Sequence, residues 1–71
     1  MKLIDKITLK KGIDIITIKS YYDRCGNRMV SINAKAFGAT YYRKYWTDTS
    51  NGSWYDYWID AHLTDGYELM L

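Results

Sequence analysis

Nine residues in the middle of the chain decide the fold class, and over positions 28–36 they read RMVSINAKA. Apolar and polar side chains alternate along this stretch, with Val30, Ile32, Ala34 and Ala36 set against Ser31, Asn33 and Lys35. A period of two residues is typical of a β-strand that buries one face. The stretch therefore predicts a half-buried strand, the kind found in antiparallel sheets.

Turn signals recur about every dozen residues on both sides of this strand, as expected of an antiparallel β protein. They lie at 10–12, 23–27, Phe37-Gly38, 48–52 and Asp65-Gly66, and Asn51-Gly52 suits a hairpin turn. The segments 2–9, 13–22, 39–47 and 67–71 are rich in residues that favour strands. Segment 13–22 is apolar on both faces early on, which indicates a central strand or a bulge. As a regular strand, segment 39–47 places Tyr41 and Tyr45 on one face and Tyr42 and Trp46 on the other.

Segment 53–63 fits two structures. As a strand, its rings and aspartates alternate between two faces; as a helix, Ser53 is the N-cap, Asp56 completes a capping box, and the rings form one stripe. Its aromatic and Asp content disfavours a helix, so we predict a strand and keep the helix as the alternative.

These patterns predict a single globular domain over residues 1–71 of the all-β class. The architecture we expect is a strongly bent antiparallel sheet or a partly open barrel of five to six strands. The alternative is an α+β fold with a short helix near 53–63. So small a domain has a marginal core, and self-association would add burial, so a homo-oligomer and a monomer are equally open.

Composition limits the compartment and the chemistry. The chain has one cysteine, no apolar run long enough to cross a membrane and no N-terminal signal pattern, which predicts a cytoplasmic protein without membrane association. Cys25 and His62 have no spacing that links a nucleophile to a base, and Asp56 and Asp60 are expected to be solvated acids. The spacing of Asp48, Asp60, His62 and Asp65 matches no metal signature. We therefore predict a non-enzymatic protein with no cofactor and no metal site.

Charge is divided along the chain. Up to residue 44 there are ten basic and three acidic residues, a net charge of +7, whereas the remainder has five acidic residues and no Lys or Arg, a net charge of −5. Strands that are distant in sequence can be neighbours in a sheet, so the sequence leaves open whether two charged surfaces exist after folding.

Aromatic residues carry the functional prediction. Eight rings fall between Tyr41 and Trp58, with Arg43 and Lys44 inside the first group. Trp, Tyr and Arg are enriched in protein-binding hot spots, so we predict a protein-binding module. Its partner-binding residues are predicted to be Tyr42, Arg43, Lys44, Trp46, Trp54 and Trp58.

The small size and the Ile/Lys/Tyr/Asn-rich composition are typical of accessory proteins of phages and mobile elements. Such a protein is expected to act as an inhibitor of a host nucleic-acid-handling enzyme. The alternative is a nucleic-acid-binding protein, whose basic and aromatic sheet surface would stack bases beside cations.

Overall fold

Five strands form one antiparallel sheet in the computed structural model of the protein, which describes residues 1–49 and 53–70. The elements in chain order are β1 (Lys2–Lys11), β2 (Asp14–Tyr22), β3 (Arg28–Ala36), β4 (Ala39–Thr47), α1 (Ser53–Thr64) and β5 (Glu68–Leu69). The strand order is β4-β3-β2-β1-β5, and the sheet does not close into a barrel. The predicted antiparallel sheet is confirmed, and the segment predicted to be a central strand is β2.

The strand predicted over 53–63 is wrong, and the helical alternative is confirmed. Packing overrides the weak helix propensity of this segment, because the helix places Tyr55 in the core and packs Trp54, Trp58 and Ile59 against it. The predicted Asn51-Gly52 turn and the side chain of Ser53 lie outside the described residues.

The C-terminal end of α1 is closed by a Schellman motif. Gly66 has φ of 100°, and its N–H donates to Leu63 O at 3.1 Å, while Tyr67 N–H donates to His62 O at 3.0 Å. This turn sends the chain back along β1, where Met70 N–H donates to Thr8 O at 2.9 Å. The predicted C-terminal strand is thereby confirmed as the two-residue β5.

A β-bulge in β4 corrects the predicted faces of its tyrosines. Tyr42 pairs with Ala34 and Thr40 pairs with Lys35, so Tyr41 is an additional residue between them. The bulge turns Tyr41 to the same face as Tyr42, where its hydroxyl donates to the Asp14 carboxylate at 3.2 Å. Tyr45 stays on the other face, so the predicted pairing of Tyr41 with Tyr45 on one face is wrong.

The core lies between α1 and one face of the sheet. Its buried members are Leu9, Ile16, Ile18, Val30, Ile32, Ala34 and Tyr55. A helix is about 10 Å wide and strands lie about 4.8 Å apart, so one helix covers only two or three strands. Because α1 lies over β2, the edge strand β4 extends beyond the helix. No helix in the described part of the chain has the length and apolar character needed to cross a bilayer.

Candidate functional site

A groove of about 600 Å³ runs between α1 and β4, on the face of the sheet that carries the helix. We call it the Trp groove. Its helix wall consists of Trp54, Trp58 and His62; its strand wall consists of Tyr41, Tyr42, Lys44 and Trp46; and its floor consists of Ile16, Ile32 and Ala34. The groove exists because the helix is too narrow to cover β4.

The helix wall follows from a four-residue spacing. Trp54, Trp58 and His62 lie four positions apart, and such residues stack in one row along an α-helix. The Trp54 and Trp58 rings are stacked, with centroids 6.3 Å apart and an interplanar angle of 23°. The row therefore presents a continuous aromatic surface to the groove.

One aromatic contact joins the two walls. The rings of Trp46 and Trp58 meet edge to face, with centroids 5.7 Å apart. Both side chains are partly buried against the core, whereas Tyr41 and Tyr42 are 58% and 47% exposed. The two tryptophans therefore hold the groove in shape, and the two tyrosines offer free surface to a ligand.

Tyr41 and His62 form hydrogen bonds, whereas the buried Nε1 of Trp58 has no hydrogen-bond partner among the described residues. His62 Nδ1 lies 2.7 Å from Trp58 O; because a carbonyl only accepts, Nδ1 carries the proton. Lys44 Nζ lies 5.8 Å from the centroid of the Trp46 ring. Loss of hydration, and then the neighbouring Asp14 carboxylate, raise the pKa of Tyr41. The groove thus combines an apolar floor with a cationic group at its strand wall.

The groove brings together five of the six residues predicted to bind a partner. Tyr42, Lys44 and Trp46 come from β4, and Trp54 and Trp58 come from α1. Arg43 lies on the opposite face, where its Nε donates to Asn33 Oδ1 at 3.4 Å. Sequence reasoning missed Tyr41, which the bulge adds, and His62, whose four-residue spacing from Trp58 becomes informative only once the segment is a helix.

The strand wall is also an edge of the sheet. β4 has nine residues, and in the part of the chain that the structure describes it pairs with β3 alone. Almost all of its residues are exposed, and Trp46 alone is half-buried. An edge strand of this length presents unpaired backbone groups that can hydrogen-bond another strand.

Of the residues considered for catalysis, His62 lines the Trp groove, whereas Cys25, Asp56 and Asp60 lie outside it. Cys25 is exposed in the loop between β2 and β3. Asp23 holds this loop by accepting hydrogen bonds from Asn27 N at 2.8 Å and Cys25 N at 2.9 Å. These bonds lower the pKa of Asp23, and the bond from Asn27 has the larger effect. Asp56 and Asp60 are exposed on α1. Within residues 1–49 and 53–70, no three His, Cys, Asp or Glu side chains lie together in a metal-binding group.

Comparison of the chain with protein-family models, with curated proteins and with solved structures finds no significant match.

Proposed function

We propose that this protein is a non-catalytic binding module that captures an extended segment of a partner protein along β4, with an apolar side chain of that segment in the Trp groove. One observation carries the proposal: the groove lies directly beside the outer edge of β4, which pairs with β3 on its inner side. Strand addition to a sheet edge takes affinity from backbone hydrogen bonds and specificity from pockets for alternate side chains. Both parts of that recognition mode occur together here.

The groove suits an aromatic or large aliphatic side chain. Its volume of about 600 Å³ falls within the range of about 300–1,000 Å³ that is typical of ligand sites. The half-exposed rings of Tyr41 and Tyr42 lie next to the edge, where they would cover an inserted side chain. Tyr and Trp provide large contact areas at low conformational entropy cost.

The charge of β4 favours an acidic partner segment over a second copy of this chain. Arg43 and Lys44 are exposed near the middle of the strand, and β4 has no acidic residue. If two copies of β4 paired antiparallel over their full length, Arg43 would lie opposite Arg43, and like charges directly opposite destabilise a sheet. A partner strand with Asp or Glu beside its apolar residue would instead meet opposite charges.

The composition extends the proposal to one kind of partner, a host enzyme that handles nucleic acids, with the protein acting as an inhibitor from a phage or mobile element. The free, exposed thiol of Cys25 is consistent with work in a reducing compartment such as the cytoplasm. A pull-down from cytoplasmic extract, with the groove variants below as controls, addresses this narrower form.

A peptide selection tests the proposal that β4 and the Trp groove bind an extended segment. The full chain is immobilised and used to select from a random library of extended peptides, and the enriched peptides are measured against Tyr42→Ala and Lys44→Gln. These positions are chosen because they are exposed, whereas Trp46 and Trp58 pack against each other and their removal would also disturb the fold. Matched controls are Tyr45→Ala, which changes an exposed tyrosine on the other face of the same strand, and Lys2→Gln, which removes one positive charge from β1 instead of β4.

We expect enrichment of an aromatic or aliphatic residue flanked by Asp or Glu. Truncation of a hot-spot ring weakens binding by about 1–2 kcal/mol, so Tyr42→Ala should raise Kd about tenfold and Tyr45→Ala should leave it unchanged. Peptides that bind equally well to all four variants would refute the groove as the binding site. A shift to dimer at micromolar concentration that Tyr42→Ala abolishes would make the occupant a second copy instead.

A further inference from the structure

The face of the sheet opposite α1 holds a second concave site. A shallow depression of about 530 Å³ opens there, and we call it the basic depression. Its charged side chains are all cationic: Lys6, Lys19, Lys35 and Arg43. The rest of its lining is polar, aromatic or apolar and comprises Met1, Thr17, Tyr21, Ser31, Ile32, Asn33 and Tyr45.

Two of these cations oppose each other in the sheet. Lys6 on β1 pairs directly with Lys19 on β2, so both side chains lie on the same face. Like charges at directly opposed positions destabilise an antiparallel pair. An anion bound between the two ammonium groups would remove that repulsion.

Within residues 1–49 and 53–70, no acidic side chain forms a salt bridge with the cations of the depression. Among the described residues, the salt bridges join Lys11 to Asp65 and Arg28 to Asp48, and none involves the depression. Several carboxylates lie on the face of the sheet that carries α1. Asp5 is near Tyr55, Asp14 accepts a hydrogen bond from Tyr41, and Asp56 and Asp60 are on α1 itself. Glu68 is on the open face, but it is beside Lys10 at the β5 edge. Asp23 is close enough to Tyr21 to raise its pKa, but its carboxylate already accepts hydrogen bonds from the backbone N–H groups of Cys25 and Asn27. Folding thus keeps a positively charged surface.

Two tyrosine rings accompany the cations. Tyr45 is 66% exposed, and Tyr21 is half-buried on the neighbouring part of the same face. Burial, and then the charges of Tyr45 and of Asp23, raise the pKa of Tyr21. Both tyrosines line the basic depression. An exposed ring beside cationic groups is the arrangement with which single-strand binding sheets stack bases and neutralise phosphates.

We infer that the basic depression binds single-stranded nucleic acid, with the backbone phosphates at Lys6, Lys19, Lys35 and Arg43 and a base stacked on Tyr45. This site is separate from the Trp groove, and the inference does not depend on the function proposed for that groove. A single strand is favoured over a duplex because its bases are free to stack on an exposed ring. Sequence reading of a duplex requires an element that enters a groove, and the depression is concave.

Binding of the full chain to a labelled twenty-nucleotide oligothymidylate tests the inference, with a duplex of the same length as competitor. Each neutralised phosphate of a single strand contributes a slope of about −0.7 in log K against log salt. Four contacts therefore predict an affinity about 50-fold lower at 200 mM than at 50 mM salt. Absence of binding at 50 mM salt would overturn the inference.

Matched variants locate the site. Lys19→Gln with Lys35→Gln should reduce the salt slope by about 1.4. Lys2→Gln with Arg24→Gln removes the same charge outside the depression and should leave the slope unchanged. Tyr45→Ala should weaken binding about tenfold, in line with the loss of one stacked base, whereas Tyr42→Ala on the other face should have no effect. Thermal melts confirm that each variant is folded.

Two further results would contradict the assignment. In the first, heparin or anionic phosphatidylglycerol vesicles compete as well as the oligonucleotide, and Tyr45→Ala keeps full affinity. This result would show that the depression binds polyanions in general, without base stacking. Equal loss of affinity in the depression pair and the control pair would show that net charge alone acts. Oligonucleotide binding that survives Tyr42→Ala and Lys44→Gln separates this site from the Trp groove, whatever the outcome of peptide selection.

Discussion

Arg43 and Lys44 are adjacent in β4 and serve opposite faces of the sheet. Arg43 Nε donates to Asn33 Oδ1 at 3.4 Å in the basic depression, whereas Lys44 Nζ lies 5.8 Å from the Trp46 ring centroid in the Trp groove. One edge strand thus supplies a cation to each of two surfaces. Substitutions at neighbouring positions can therefore separate the two proposed activities with little change in composition.

The turn between β3 and β4 contains a residue that rarely adopts the backbone conformation found there. Phe37 has φ of 54° and is 86% exposed, in a two-residue turn with Gly38. Both central residues of such a turn have positive φ, which Asn adopts far more readily than an aromatic residue. We expect Phe37→Asn to raise the free energy of unfolding by about 1 kcal/mol, measured by urea denaturation.

Phe37→Ala is the control for this change, because it removes the exposed ring without relieving the backbone strain. A gain in stability from Asn that does not exceed the gain from Ala would contradict the strain argument. If Phe37→Asn is more stable yet binds a selected peptide or oligonucleotide more weakly, the exposed ring takes part in binding.

Tyr55 makes the stability of the protein depend on alkaline pH. Its burial, and then the charge and hydrogen bond of Asp5, raise its pKa from 10.0 to about 12. The folded state thus holds this proton more tightly than the unfolded chain. The resulting stabilisation is fully present below about pH 10 and is lost as the pH rises towards about 12.

Stability should fall less at high pH in Tyr55→Phe than in the unchanged protein. We expect the difference in unfolding free energy between about pH 8 and pH 11.5 to become smaller by an amount on the order of 1–2 kcal/mol. Tyr57→Phe changes an exposed tyrosine on the same helix and serves as the control. Identical pH dependence in the two variants would show that Tyr55 does not titrate as described.

Ser20 is a buried polar residue on the helix-covered face. It is 1% exposed, and its hydroxyl has no hydrogen-bond partner among the described residues. Burying an unpaired hydroxyl is unfavourable, so Ser20→Ala should raise stability by up to about 1 kcal/mol. Ser31→Ala, on the half-exposed opposite face, should change little; destabilisation by Ser20→Ala in chemical denaturation would reveal a partner for the hydroxyl.

Gly66 fixes the turn that returns the chain from α1 to β5. A Cβ there would meet Lys11 Cε at 3.6 Å, an ordinary contact, so the effect of Gly66→Ala comes from φ of 100° rather than from a clash. We expect a loss of about 1–2 kcal/mol in thermal and urea unfolding. Thr64→Ala, in the last turn of the same helix, is the comparison, and equal effects would contradict the role assigned to the Gly66 backbone.

The strands and turns of the sheet can be predicted from the sequence because local patterns of residues mark them. The alternation over residues 30–36 and the glycines at Gly12, Gly26 and Gly38, which have positive φ, mark strands and turns without reference to distant residues. Apolar residues on both faces early in segment 13–22 indicate a central strand or a bulge, and the segment is the central strand β2. These features depend only on the period of two residues and on turn geometry.

The helix and the faces of the tyrosines depend on tertiary structure instead. Trp54 and Tyr55 favour strands by propensity, and only the core that they cover makes the segment a helix. The bulge at Tyr41 arises from pairing with β3, and no local residue type marks it. Likewise, Lys6 and Lys19 become neighbours only through the register of β1 with β2.

Measuring the affinity of a selected peptide for Tyr42→Ala and for Tyr45→Ala shows whether peptides bind in the Trp groove. Both residues are exposed tyrosines of β4, and they differ in the face of the sheet that they occupy. We expect Kd to be about tenfold higher for Tyr42→Ala and unchanged for Tyr45→Ala. Unchanged binding by Tyr42→Ala, or equal losses in both variants, would contradict a binding site in the Trp groove.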